Sequence, residues 1–294
     1  MSDRLLRTLI EKEQVSLVGV DSTETVRHAQ IVHNMTAPAA RAFGRALTVM
    51  TYMSCWLKED GGELSLSVKH HGETGEICVS GDAHLRMRGY VHNPFAEDDA
   101  LGKGYMTVVR DDNYGKPFVG TCELVDADMD KAFEYYYRLS EQLPTYMRTD
   151  VVFDEHGLCK AAGGVFLQPM PGAEDISVQA AKNYAEQLSD FGKILENKGM
   201  DALLKVYFGV ENAAATPFAY GCRCSREYIS GVLRSLGEKE LRDILQAEGK
   251  IDVHCHYCNT DYVFYGSDVD KMFPPEDAAD AADGGAAEKA DKTE

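Results

Sequence analysis

The sequence predicts an α+β protein with an N-terminal mixed α/β core domain, a helical linker and a small C-terminal domain built around four cysteines. Three observations predict it. The first 170 residues mix one apolar helical pattern with several short β-like runs. The segment from Asp175 to Phe208 turns helical. The cysteines change from single residues (Cys55, Cys78, Cys122, Cys159) to two tight pairs, Cys222 with Cys224 and Cys255 with Cys258. Pro169, Pro171 and Gly172 punctuate the chain between the first two regions. The expected layout is a core domain over 1–172, a linker over 173–218, a cysteine domain over 219–270 and a tail over 271–294.

Each element follows from local pattern. Thr36 suits an N-cap and Pro38 the first helical turn. Ala42, Ala46, Met50 and Met53 then follow at helical spacing. Leu64, Leu66 and Val68 alternate with Ser65, Ser67 and Lys69, which predicts a strand. Residues 77–80, 85–91, 105–110 and 118–125 are further β-like runs, with Gly120 a candidate bulge. A helix is expected over 130–142, before Pro144, and late strands over 151–153 and 164–168. In the linker, Val178, Ala181, Ala185, Leu188, Ile194 and Leu195 mark an intermittent apolar stripe, interrupted at Gly192 and Gly199. Residues 213–217 read as a loop. From Lys271 to Glu294 the sequence holds seven Asp or Glu, three Lys and seven Ala, and no large apolar residue follows Phe273. This tail is expected to be disordered.

Composition limits the function classes. The 294 residues carry 30 Lys or Arg and 48 Asp or Glu, a formal charge of −18. A field of that sign disfavours phosphate backbones and anionic membranes. No run reaches the roughly 18 apolar residues of a membrane span. Residues 1–14 hold Asp3, Arg4, Arg7, Glu11, Lys12 and Glu13, which is no signal-peptide core. A cytoplasmic location follows as an expectation. In that reducing compartment eight cysteines favour metal binding or redox chemistry over structural disulfides.

The paired cysteines carry the chemistry. Cys222 and Cys224, then Cys255 and Cys258 after thirty residues, offer four soft ligands from two turns. Zinc takes four such ligands in a tetrahedron, with sulfur about 2.3 Å from the metal. The intervening sequence explains how the pairs meet. Ser225 caps a helix with Ile229, Val232, Leu233 and Leu236 on one stripe, closed by Gly237. A second helix carries Leu241, Ile244 and Leu245 and ends at Gly249. Residues 251–253 and 262–265 read as strands. The result is a small zinc-binding domain whose modest core makes the metal a large part of its folding free energy. His254 and His256 are reserve ligands. Arg223 and Arg226 either offset thiolate charge or are solvated. Six Lys or Arg against eight Asp or Glu over 219–268 do not suit a nucleic-acid zinc finger. From spacing alone, a structural zinc site is the commoner outcome.

Enzyme signatures fail. His71-Gly72-Glu73 lacks the P-C-x-x-C partner of a zinc deaminase. Asp190-Phe191-Gly192 stands without the other kinase motifs. Gly115-Lys116 lacks the glycine of a phosphate loop. The four single cysteines read as small core residues.

The cysteine arrangement resembles that of the redox-regulated 33-kilodalton heat-shock chaperone family. Cys224-Ser225-Arg226-Glu227, Leu236-Gly237 with Glu240-Leu241, and Cys258-Asn259 with Tyr262 and Phe264 agree with it. Upstream, Arg88-Gly89-Tyr90-Val91 with Asn93-Pro94, residues 120–125, Ser140 to Thr145, and Ala162-Gly163-Gly164 with Gln168 and Pro171 agree too. The likeness spans most of residues 20–268. Phe118 departs from a frequent tyrosine, which touches only a local hydrogen bond.

The resemblance implies an ATP-independent holdase, not an enzyme. It implies one Zn²⁺ per chain in the reduced state, held by Cys222, Cys224, Cys255 and Cys258. Four cysteines allow three disulfide connectivities; the family implies Cys222–Cys224 and Cys255–Cys258 on oxidation, with zinc release. It implies unfolded proteins as partners and a homodimer when active, with neither nucleic acid nor membrane. Physically, losing zinc removes the main stabiliser of a small domain, and a linker of interrupted helical propensity loosens with it. Val178, Leu188, Ile194 and Leu195 are the expected client-binding residues, against the alternative of plain linker packing. The competing functions are an enzyme with a purely structural zinc site and a zinc-containing module of constant affinity for one partner.

Overall fold

Thr36 caps the central helix as its sequence predicts, its side chain accepting from the backbone N–H of Ala39. The computed structural model describes residues 3–58 and 61–274. Contacts divide the chain into two units: Met1–Cys222 with His256–Cys258, and Arg223–Cys255 with Asn259–Glu294.

The larger unit is built on two sheets. The first has the order β10-β1-β2-β9-β8, from β1 (Arg4–Ile10), β2 (Val15–Asp21), β8 (Tyr146–Phe153), β9 (Cys159–Pro169) and β10 (Ala214–Pro217). The second has the order β11-β5-β4-β3-β6-β7, from β3 (Glu63–His70), β4 (Ile77–Asp82), β5 (Arg86–Val91), β6 (Gly104–Asp111), β7 (Phe118–Glu123) and β11 (Ala219–Tyr220). All pairs are antiparallel except β11 with β5. The central helix α2 (Ala37–Ser54) packs on β2, β8 and β9 of one sheet and on β3, β4 and β5 of the other. Its Phe43, Leu47, Met50 and Tyr52 are fully buried. Burying each of Phe43, Leu47 and Met50 stabilises the fold by about 1.5–3 kcal/mol.

Sequence periodicity finds β3 because it is half-buried and alternates. It leaves β1, β2 and α1 (Thr23–His33) unassigned. β2 is buried along its length, so it lacks the period-two signature. The 213–217 segment, expected as a loop, is instead edge strand β10, paired with β1 from Arg4↔Pro217 to Arg7↔Ala214. An edge position explains why Pro217 is tolerated there. Gly120 is not a bulge, since β6 and β7 stay in register from Tyr105↔Glu123 to Arg110↔Phe118. A Cβ there would come within 3.0 Å of the Tyr136 ring, so the glycine makes room.

The helix expected over 130–142 is α3 (Met129–Tyr136) followed by one π turn over Tyr137–Glu141. Helices α4 (Asp175–Gln187) and α5 (Phe191–Phe208) lie on the first sheet, with Leu188, Phe191, Leu195, Met200, Leu203 and Leu204 buried against Leu6, Val15, Leu17, Val165 and Leu167. The two expected interruptions differ in cause. Gly199, at φ 75°, breaks α5. Gly192 is helical, and a Cβ on it would lie 2.2 Å from the Asp150 carboxylate.

The smaller unit contains α6 (Arg226–Leu236), α7 (Glu238–Glu248), a hairpin of β12 (Ile251–Cys255) and β13 (Thr260–Phe264), and α8 (Gly266–Met272). Ser225 caps α6 by accepting from Tyr228 N–H at 3.1 Å. Gly237 and Gly249 end the two helices with positive φ. Its core is small: Leu233, Leu241, Ile251, Phe264, Val269 and Met272. Of the predicted α6 stripe, Leu233 is buried and Ile229 half-buried, whereas Val232 and Leu236 are 47% and 57% exposed. α8 continues through Lys271 and Met272, two residues into the expected tail, because Met272 completes the core. Residues 275–294 of the predicted disordered tail lie outside the described residues.

One buried polar group ties α2, α3 and β8 together. Asp130 accepts from Thr149 Oγ1 at 2.5 Å and Thr149 N–H at 3.1 Å, and Arg45 reaches it at 3.1 Å. Burial pushes this carboxyl up, and the Arg45 guanidinium opposes that. Asp130→Ala should destabilise the chain by about 2 kcal/mol in chemical denaturation, because the buried Thr149 hydroxyl and amide lose their acceptor while Arg45 keeps Asp128 at 3.1 Å.

Candidate metal centre

Four local structures deliver the cysteines. Cys222 lies just past β11, after Gly221, whose N–H donates to the Met87 carbonyl at 2.8 Å. Cys224 precedes the Ser225 cap of α6. Cys255 ends β12, and Cys258 lies in the turn before β13, where Asn259 takes a φ of 52°. Their sulfur atoms all lie within 4.8 Å of one another, and each residue is half-buried. A tetrahedral zinc with sulfur at 2.3 Å separates its ligand sulfurs by about 3.8 Å, so the donor set fits one such ion in number, type and spacing. Four cysteines close together thus form a site suited to a single metal ion. Tyr262 adds a hydroxyl that donates to Cys224 Sγ at 3.2 Å.

The expected accessory residues have other partners. His254 Nδ1 lies 2.7 Å from Asp261 across the hairpin. The His256 ring lies 5.4 Å from that of Tyr90. Neither histidine belongs to the cysteine group. Arg226 pairs with Asp268 at 3.0 Å and lies over the Phe264 ring at 4.3 Å, so it serves the small core.

The single cysteines behave differently. Cys122 and Cys159 are buried, and Cys55 and Cys78 are half-buried. Burial pushes the Cys55 and Cys159 thiols up to about 12 and that of Cys122 up to about 11, and it raises Cys78 as well. A protonated thiol is a poor nucleophile.

Of the linker residues, Leu188 and Leu195 are buried on the first sheet, Ile194 packs against the same cluster, and Val178 is half-buried. Sequence reasoning gave no role to Tyr220 and Tyr257 and read Arg88 and Tyr90 only as parts of a motif. Their contacts join residues far apart in sequence, and no spacing encodes them. Among the described residues, no helix is long and apolar enough to cross a membrane.

A two-sheet α/β unit and four thiols close enough together to hold one metal ion define the class of protein. The chain belongs to the Hsp33 family: the family model described as "Hsp33 protein" matches residues 3–265. It is similar to the 33 kDa chaperonin of Acetivibrio thermocellus, 30% identical over 92% of this chain and 96% of the relative. It is 32% identical to the 33 kDa chaperonin of Bacillus cereus strain G9842, over 92% and 99%. Among solved structures, the 33 kDa chaperonin of Thermotoga maritima aligns with a TM-score of 0.83 at 28% identity, covering 92% of this chain and 98% of that one.

Two outcomes test the centre. Tyr262→Phe should weaken metal retention about tenfold in competition with a chelator, as expected for loss of a hydrogen bond to a ligand atom. Brief alkylation of the native, metal-stripped chain at neutral pH should label Cys222, Cys224, Cys255 and Cys258 well before the other four, read by peptide mass spectrometry.

Proposed function

We propose that this chain is a redox-regulated, ATP-independent holdase that acts by binding rather than turnover. The observation that carries the reading is the four-sulfur cluster, within 4.8 Å, in a member of the Hsp33 family. In the reduced state Cys222, Cys224, Cys255 and Cys258 hold one Zn²⁺ as thiolates. The ion neutralises thiolate charge and cross-links the chain. Peroxide then oxidises a thiolate to a sulfenic acid, and a neighbouring thiolate displaces water to close a disulfide. Each disulfide takes two electrons from two thiolates and delivers them, with two protons, to one peroxide, which leaves as two waters. Cys222 pairs with Cys224 and Cys255 with Cys258. Disulfide sulfurs are poor ligands, so the same step removes the donors that held the ion.

Loss of that cross-link leaves the smaller unit with a core of six buried residues, too small to hold alone. The linker over 173–218 loosens as well, helped by the break at Gly199. Release of α4 and α5 uncovers Leu188, Ile194 and Leu195 together with the apolar sheet face beneath them, and Val178 borders the exposed surface. That surface holds unfolded proteins. The active form is a homodimer in the cytoplasm. The −18 charge supports this reading, because it keeps client complexes soluble and repels nucleic acid and anionic membrane.

The test follows zinc release, thiol loss and client aggregation together during peroxide treatment at raised temperature. The reading expects all three to change together. Retained zinc, or zinc loss without client protection, contradicts it. Leu195→Asp, which places a charge in the α5–sheet layer, should suppress client aggregation without oxidant while the chain keeps its zinc.

A further inference from the structure

The outer face of the second sheet, away from α2, carries a seat for one aromatic residue, and the chain itself fills it. Tyr257, between the two cysteines of the second pair, groups with the larger unit. Its ring lies under the Arg88 guanidinium at 4.8 Å and edge-on to Tyr90 at 5.6 Å. Its hydroxyl is 3.4 Å from Ser80 Oγ, and its backbone carbonyl accepts from the Tyr220 hydroxyl. The seat is rigidly built. Arg88, Tyr90 and Ser80 project from β4 and β5. Arg88 is also paired with Glu63 on β3. The Tyr220 hydroxyl is within 3.0 Å of the Gly89 carbonyl and 3.1 Å of His33.

Two properties of this contact define what else fits. A cation over a ring face beside a second ring selects aromatic side chains without regard to the surrounding sequence. A hydroxyl aimed at the occupant's backbone carbonyl reads a group that every residue carries. Together they recognise an aromatic residue in an extended, unfolded chain, which is the chemistry of an exposed client segment.

We propose that Tyr257 is an internal stand-in for client, and that the seat of Arg88, Tyr90, Ser80 and Tyr220 binds an aromatic residue of an unfolded protein once oxidation at Cys255 and Cys258 withdraws the intervening turn. This deepens the holdase reading and rests on it. The single occupant differs from the broad apolar layer under α4 and α5: one surface selects aromatic rings, and the other holds apolar chain generally.

The test uses the full chain and three probes: reduced, carboxymethylated α-lactalbumin as an unfolded protein, an unstructured peptide carrying tyrosines, and the same peptide with alanine in their place. Peroxide-activated wild type should bind the tyrosine peptide about fivefold tighter than the alanine peptide, the scale of one cation–π contact. Arg88→Gln should abolish that preference while the activated variant still binds carboxymethylated α-lactalbumin. Reduced, zinc-loaded Tyr257→Ala should bind the tyrosine peptide where reduced wild type does not. Equal binding of the two peptides by activated wild type overturns the proposal, as does an Arg88→Gln variant that keeps the preference. If Tyr257→Ala sheds its zinc, the Arg88 result decides alone. Activated wild type that fails to bind carboxymethylated α-lactalbumin overturns the holdase reading itself, and the aromatic seat falls with it.

Discussion

Four sulfur atoms held within 4.8 Å of one another cannot all be free thiolates. At about 4 Å and an effective dielectric near 20, each like-charged pair repels by about 4 kcal/mol, and four charges make six pairs. The cluster is therefore stable only with protons, a metal cation or sulfur–sulfur bonds in place of some of that charge. This constraint gives the site its discrete chemical states, and in the proposed mechanism the state chosen decides how the smaller unit is held. A unit with a core of Leu233, Leu241, Ile251, Phe264, Val269 and Met272 has little other stabilisation to fall back on.

The larger unit meets the opposite situation. Its α2 core is extensive, and it carries the buried Arg45–Asp130–Thr149 network. Its first sheet is covered on both faces, by α2 on one and by α4 and α5 on the other. A sheet with two apolar faces has one more than a stable domain needs, provided the second cover can leave. The broken helix α5 is that removable cover in the proposed mechanism, and a stable α2 core is what lets it leave without global unfolding.

Much of this was legible in the sequence, for identifiable physical reasons. Thr36 and Ser225 cap helices through their own side chains, so local chemistry reveals both starts. β3 alternates because one face is solvated. The cysteine cluster was legible because ligand spacing is a local property. What was not legible is non-local. β2 is buried on both faces and loses its period. β10 is a strand only because β1 supplies a partner. Gly120 was misread as a bulge because the reason for it, the Tyr136 ring, comes from a different element. Val232 and Leu236 have the right spacing for burial, but the small core does not reach them. The Tyr257 seat draws Ser80, Arg88 and Tyr90 from more than 160 positions away and has no sequence signature.

The central claim is that the thiol state of the cysteine centre controls the order of the small unit and of α4 and α5 but not of the α2 core. Hydrogen exchange with mass spectrometry, comparing reduced zinc-loaded and peroxide-oxidised chain, tests it most directly. The account predicts lost protection over 223–272 and over α4 and α5, with α2, β3, β4 and β9 unchanged. Protection of α4 and α5 that is the same in both states would contradict it.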